Sequence, residues 1–315
     1  MKYIIVHIIL FFCVVASAQQ EQLYTQFMFN KQLFNPAYVG NEEVASAGIL
    51  LRDQWNGLEG APKTQVISFA TPLNDNKLGI GFNLINHTIG LNERLTLEGM
   101  YAYRIQTNAG TFSLGLQGSF RRYGVDFTDP RVVTTQSIDL DPSISSTNLS
   151  RSIFNFGFGL YYNTNLFYVG LAAPRLAETD LSFQLDRDLS NEVRHMYLMG
   201  GAAFVLNSNL TFRPQALVKY AADVPLDIDL NFGLTYKEKY TLASTYRLGG
   251  NSSGGGESID LIFAIQFNEQ LMFGFAYDYT LSDLSSHQNG SLELTAHYMF
   301  RKRNNKEEII NPRYF

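Results

Sequence analysis

Between Ser258 and Phe300, apolar and polar residues alternate with a period of two through three successive runs. Ile259, Leu261, Phe263, Ile265 and Phe267 share one parity, against Asp260, Ala264 and Gln266 on the other. Leu271, Phe273, Phe275, Tyr277 and Tyr279 oppose Gly274, Ala276, Asp278 and Thr280. Leu292, Leu294, Ala296, Tyr298 and Phe300 oppose Ser291, Glu293, Thr295 and His297. A strand sends successive side chains to opposite faces, so each run predicts one aromatic, apolar face and one polar face. Segments of about ten residues match a tilted strand that crosses a bilayer.

The same alternation predicts fourteen strands, roughly 46–55, 64–72, 77–88, 92–106, 110–122, 151–163, 165–173, 194–206, 209–220, 226–237, 239–249, 257–268, 270–281 and 290–301. Every second connection is a tight turn, as at Leu73–Asn76, Thr107–Ala109, Thr164 and Glu238, whereas the others tend to be long, as at Tyr123–Ser150 and Pro174–Val193. An even strand number with short turns at one end and long loops at the other is the pattern of an outer-membrane barrel. A soluble sandwich has no reason to sort its loops by parity. Charge is sorted as well. Arg94, Glu98 and Arg104 share the parity opposite Leu95, Leu97, Tyr101 and Tyr103, and Asp227, Asp229 and Asn231 oppose Ile228, Leu230, Phe232 and Leu234. A base held against lipid at mid-depth costs about 2–4 kcal/mol, so these charges, with Asp278, Glu293 and His297, are predicted to face the lumen. The expected fold is all-β, a transmembrane barrel of about fourteen antiparallel strands over residues 46–301.

The chain ends add to this picture. Lys2, the apolar run Ile4–Val15 and Ala16-Ser17-Ala18 make residues 1–18 a secretory signal peptide. Cys13 lies in that run behind the bulky Phe12, so the mature chain has no cysteine and no disulfide. Lys2 leaves with the leader, so 29 acidic residues exceed the remaining basic ones and nothing invites nucleic acid. Residues 19–45 read as an irregular but ordered periplasmic extension, too aromatic for a free tail, and predicted to pack over the barrel mouth. Residues 302–315 read as a periplasmic tail, and its closing Arg313, Tyr314 and Phe315 as a docking peptide.

Candidate chemistry is sparse. Glu293, Asp278 and His297 share the inward parity and are read as a hydrogen-bonded wall, with a metal site as the less favoured alternative. Asp126, Asp129, Asp139 and Asp141 in the longest loop read as solvated carboxylates, with calcium as the alternative. The glycine-rich Gly249–Gly256 lacks the lysine and helix of a phosphate loop. No nucleophile elbow is present, and no catalytic residue or cofactor is predicted.

Several stretches in order resemble the PorP/SprF family of outer-membrane proteins, found in Bacteroidota and associated with type IX secretion and gliding. LFNPAYVG (Leu33–Gly40) is similar to its Asn-Pro-Ala-Tyr-x-Gly signature, with Val39 where alanine is more usual. RDQWNGLEGAPKT (Arg52–Thr64) is similar to its Arg-x-x-Trp segment, and YVGLAAPRL, RPQALVKY, STYRLGG, FGFAYDYTLSDL and NPRYF follow in family order. The resemblance implies a single barrel in the bacterial outer membrane with no enzymatic activity. It also implies export or anchoring of a secreted surface protein that carries a C-terminal type IX secretion domain, and contact with a PorK/PorN-type periplasmic ring. The chain lacks the peptidoglycan-binding domain fused to some relatives. The alternative reading is a channel for small solutes. Asn35, Pro36, Tyr38, Gly40, Arg52 and Trp55 are the candidate residues for partner binding or for a plug. Arg52 and Trp55 are read as clamping the extension, or Trp55 as an ordinary interfacial aromatic.

Overall fold

The computed structural model describes residues 22–127, 129, 149–180, 191–222, 224–249 and 256–300. The predicted leader at 1–18, Asp139 and Asp141, most of the glycine-rich loop, and the predicted tail with Arg313, Tyr314 and Phe315 lie outside the described residues. The strands are β1 (Ser46–Asp53), β2 (Lys63–Leu73), β3 (Leu78–Ile89), β4 (Asn92–Gln106), β5 (Thr111–Val125), β6 (Leu149–Asn163) and β7 (Phe167–Arg175). Two short strands follow, β8 (Thr179–Asp180) and β9 (Asn191–Glu192), which pair with each other. The wall resumes with β10 (His195–Ala202), β11 (Phe204–Asn207), β12 (Leu210–Ala221), β13 (Asp227–Tyr236), β14 (Tyr240–Leu248), β15 (Gly256–Gln266), β16 (Leu271–Thr280) and β17 (Ser291–Met299).

Each wall strand pairs antiparallel with its neighbours in sequence, β10 bridges β7 and β12, and β1 pairs with β17 to close the barrel. Both β10 and β11 lie along β12 and form one interrupted stave, so the barrel has fourteen. The interruption falls at Ala203, whose N–H turns to Leu166 O at 2.7 Å. Pro214 on β12 lies opposite this break and has no N–H to offer a ladder.

The alternation read from the sequence is the alternation of burial. On β15, Ile259, Leu261 and Phe263 are exposed while Ser258, Asp260, Ile262 and Ala264 are buried. On β4, Tyr101 and Tyr103 point outward and Thr96, Glu98, Met100, Ala102 and Arg104 inward. The tight connections, such as those joining β6 to β7 and β13 to β14, gather at one end; the β5–β6 and β7–β10 connections lie at the other. One connection at the long-loop end, Gly90–Leu91 between β3 and β4, is itself a tight turn.

The extension departs from the expected position. It lies inside the barrel instead of over its mouth, as three single turns of 3-10 helix at Phe27–Phe29, Lys31–Leu33 and Pro36–Tyr38. Tyr24, Phe27, Phe34 and Ala37 join Leu50, Val66, Ile85, Tyr161, Tyr197, Leu217 and Ile262 in one buried cluster. The reason is the aromatics themselves: a polar lumen rim offers no cover for them, whereas this inward apolar patch does. The barrel therefore has a hydrophobic core of its own, with the extension at its centre.

Candidate functional site

The filled lumen is the candidate site, and the extension runs lengthwise through it. Gln22–Gln26 lie beside residues near the long-loop ends of β1, β16 and β17, and Gly40 and Asn41 beside the short-turn end of β4. Residues 42–45 then lead into β1.

The Asn35–Gly40 segment is held by shape. Asn35 is extended, with φ −139° and ψ 111°, as the residue before a proline should be. Its side-chain oxygen accepts from Ala37 N at 2.9 Å, capping the turn that Pro36 opens, and its amide nitrogen donates to Leu160 O at 2.9 Å. The wall beneath is bare of side chains. A Cβ placed on Gly79, Gly115 or Gly159 would overlap Val39 O, Ala37 N or Asn35 Oδ1 respectively, and one on Gly170 would lie 2.7 Å from Asn35 Nδ2. Gly40 ends the motif at φ +72°, a conformation that L side chains rarely adopt. Arg104 donates to Gly40 O and, at 3.1 Å, to Asn41 Oδ1.

Tyr38 packs edge-on against Tyr161 with ring centroids 5.5 Å apart, and Tyr161 stacks on Tyr168. Lys31 Nζ lies 4.5 Å from the Tyr168 centroid and 5.3 Å from that of Tyr38. Burial first, and the Arg213 charge second, lower the Lys31 ammonium to about 7 against an opposing pull from Glu42. Burial pushes the Tyr38 hydroxyl well above its ordinary value.

The Thr25–Gln26 end is held by charge. The backbone amides of Thr25 and Gln26 donate to the two carboxylate oxygens of Glu293, at 2.9 and 2.8 Å. The Thr25 hydroxyl contacts both Asp278 oxygens at 2.8 Å. Arg52 donates to Thr25 Oγ1 at 2.7 Å, Asp278 at 2.6 Å and Glu293 at 3.1 Å. Arg52 and Glu293 are register partners across the β1–β17 seam, so these contacts sit on the pair of strands that closes the barrel. The belt continues round the wall through Arg247 to Asp229, and from Asp229 to Lys219 and Asp227. A second network leaves Gln32 through Asn83 and Glu98 to Arg175, and Glu192 of β9 joins it with Arg121 and Asn155.

Asn35, Pro36 and Gly40 are buried, Tyr38 is partly buried and Arg52 is buried against the extension. Trp55 is not brought to them; it lies on the β1–β2 loop at the long-loop end. Glu98, Arg104, Asp229, Asp278 and Glu293 are buried on the inward parity, with Arg94 and Asp227 partly buried there. His297 does not join Glu293 and Asp278; it lies nearer the short-turn end, 3.5 Å from Glu42, while the two carboxylates share Arg52. Among the described residues no three ligand-type side chains come together to hold a metal ion. The sequence reading missed Thr25, Gln26 and the wall glycines; the glycines at inward parity, Gly79 and Gly81 or Gly157 and Gly159, were the available sign.

A family model described as type IX secretion system membrane protein PorP/SprF matches residues 16–298. The chain belongs to this family. It is thus a membrane component of the type IX secretion system, located in the bacterial outer membrane. No curated protein matches it. Among solved structures it resembles the CymD monoaromatic hydrocarbon channel, with TM-score 0.51, 11% identity and coverage of 90% of this chain and 94% of that one. It also resembles a Pseudomonas aeruginosa FadL homologue, with TM-score 0.50, 12% identity and coverage of 87% and 94%. At such identities the likeness is one of fold: an outer-membrane barrel.

Proposed function

We propose that this PorP/SprF barrel is a non-enzymatic anchor. It binds a secreted surface protein with a C-terminal secretion domain on its long-loop face, and its short-turn face meets the periplasmic ring of the secretion machinery. The observation that carries this reading is the filled lumen. A barrel whose interior is occupied by its own residues 22–41, packed against glycine and bonded to Arg52, Asp278 and Glu293, works through its end faces. The general asymmetry of bacterial barrels assigns the long loops to the outside and the short turns to the periplasm. The domain division proposed with it is a leader at 1–18, an N-terminal periplasmic extension at 19–45 whose residues 22–41 fill the lumen, the barrel at 46–301 and a periplasmic tail at 302–315.

The test is purification of the tagged chain from native outer membranes in mild detergent, followed by mass spectrometry. Recovery of a protein with a C-terminal secretion domain, or of ring components, is the expected result; unchanged surface display of every such protein after gene deletion overturns it. The second reading, a small-solute channel, requires the extension to leave. Planar-bilayer recordings separate the two: the intact chain is expected to be silent, and steady conductance from it favours the channel.

A further inference from the structure

A cleft of about 450 Å³ opens at the long-loop end, apart from the lumenal plug, between the β1–β2 loop, the β3–β4 turn and Asp126. That volume lies within the range of small-ligand sites. Its lining combines Trp55, the only tryptophan of the chain, with Gln54, Asn56, Asn92, Glu93 and Asp126.

Trp55 is held in an unusual state. Its φ is +49°, a region bulky residues avoid, and such a conformation persists only when the surroundings impose it. Here they do. Trp55 N donates to Ser291 Oγ at 3.2 Å, Asn56 N to Gly290 O at 2.8 Å, and Asn289 N to Asn56 O at 2.7 Å. On the other side Gly90 N donates to Gly60 O at 2.8 Å. The loop is thus tied to both neighbouring connections, and the cleft is preformed. A turn needs no tryptophan at a left-handed position; glycine or asparagine suits it better.

We propose that this cleft binds a saccharide. The indole supplies a broad apolar plate for the C–H face of a sugar ring. Around it the amides of Gln54, Asn56 and Asn92 and the carboxylates of Glu93 and Asp126 supply donors and acceptors for hydroxyls. The long-loop end faces outside by the general asymmetry of such barrels, where glycans of the cell surface are at hand.

The single tryptophan makes the test direct. The full-length protein in detergent is titrated with maltotriose, chitotriose and the lipid-free polysaccharide released from lipopolysaccharide of the producing cells. One of these is expected to shift Trp55 emission saturably. By calorimetry Trp55→Gly, which suits the positive φ, removes binding while the barrel still runs as a folded band on unheated gels. Glu93→Gln weakens binding about tenfold, equivalent to about 1.4 kcal/mol, and serves if Trp55→Gly fails to fold. Emission unmoved by all three probes overturns the proposal, as does a shift produced by a purified C-terminal secretion domain and by no saccharide. Unaltered binding by both variants overturns it as well.

Discussion

The two ends of the lumenal extension are fixed by opposite physics. Asn35–Gly40 rests against glycine on β3, β5, β6 and β7, where fit is decided by overlap of atoms. Thr25 and Gln26 rest on Arg52, Asp278 and Glu293, where everything depends on charges taken out of water. The extension is a bound ligand with two kinds of affinity: one end reads shape, the other completes an ion cluster.

The charged end is the more costly to disturb. Arg52→Ala takes the paired cation from the buried Glu293 and leaves Asp278 only the Arg247 guanidinium at 3.9 Å, a change that typically costs about 3–5 kcal/mol. A lowered denaturation midpoint in unheated-gel assays of the folded barrel checks it. Gly115→Val strikes the shape-read end. The added carbons meet Ala37, and overpacking of this kind costs about 1–3 kcal/mol. Limited proteolysis within 33–40 is expected for this variant and not for the parent, while the Thr25 contacts stay in place. Asn35→Ala removes both the turn cap and the bond to Leu160 O, for about 1–2 kcal/mol, and should loosen the same stretch to a lesser degree. If Arg52→Ala and Gly115→Val released both ends equally, the two-part description would fail.

Seating is also graded by pH. Lys31 is lowered from an ordinary 10.5 to about 7 in the seated extension. Below pH 7 the side chain is charged in both states and the whole burial penalty is present. As pH rises from about 7 towards 10.5 the seated form sheds its proton first, so seating strengthens by at most about 1.4 kcal/mol per unit. Protease protection of the extension should rise over that window, and Lys31→Met should flatten the rise.

Much of the wall was legible because a barrel strand has only two faces. Phe263 and Asp260 cannot both face lipid, so parity alone assigned them, and the charged positions Glu98, Arg104 and Asp229 followed. The site was less legible for three reasons. Arg52, Asp278 and Glu293 meet only through the registers of β1 with β17 and of β17 with β16, which no local pattern encodes. Gly115 and Gly159 announce an absent side chain but not what fills its place. The extension has neither periodicity nor a charge pattern, so its aromatics signalled burial without saying where. The sequence leaves Trp55 either clamping the extension with Arg52 or serving as an interfacial aromatic, because residues close together near a strand end can part company, one turning into the lumen and the other out along a loop.

The bonds from Thr25 and Gln26 to Glu293 join residues 268 and 267 positions apart. Contacts so distant along a chain are made late, because the entropy of joining the ends must be met before they stabilise anything. Glu293 is also where the last strand meets the first. The Thr25–Gln26 segment is thus the final component of the seam, and it enters a space that closes around it. In biogenesis this makes the extension a record of completion: a cylinder that shuts without it leaves Glu293 to Arg52 alone, without the two amide donors of Thr25 and Gln26, and one that shuts with it has brought both termini of its wall to the same place.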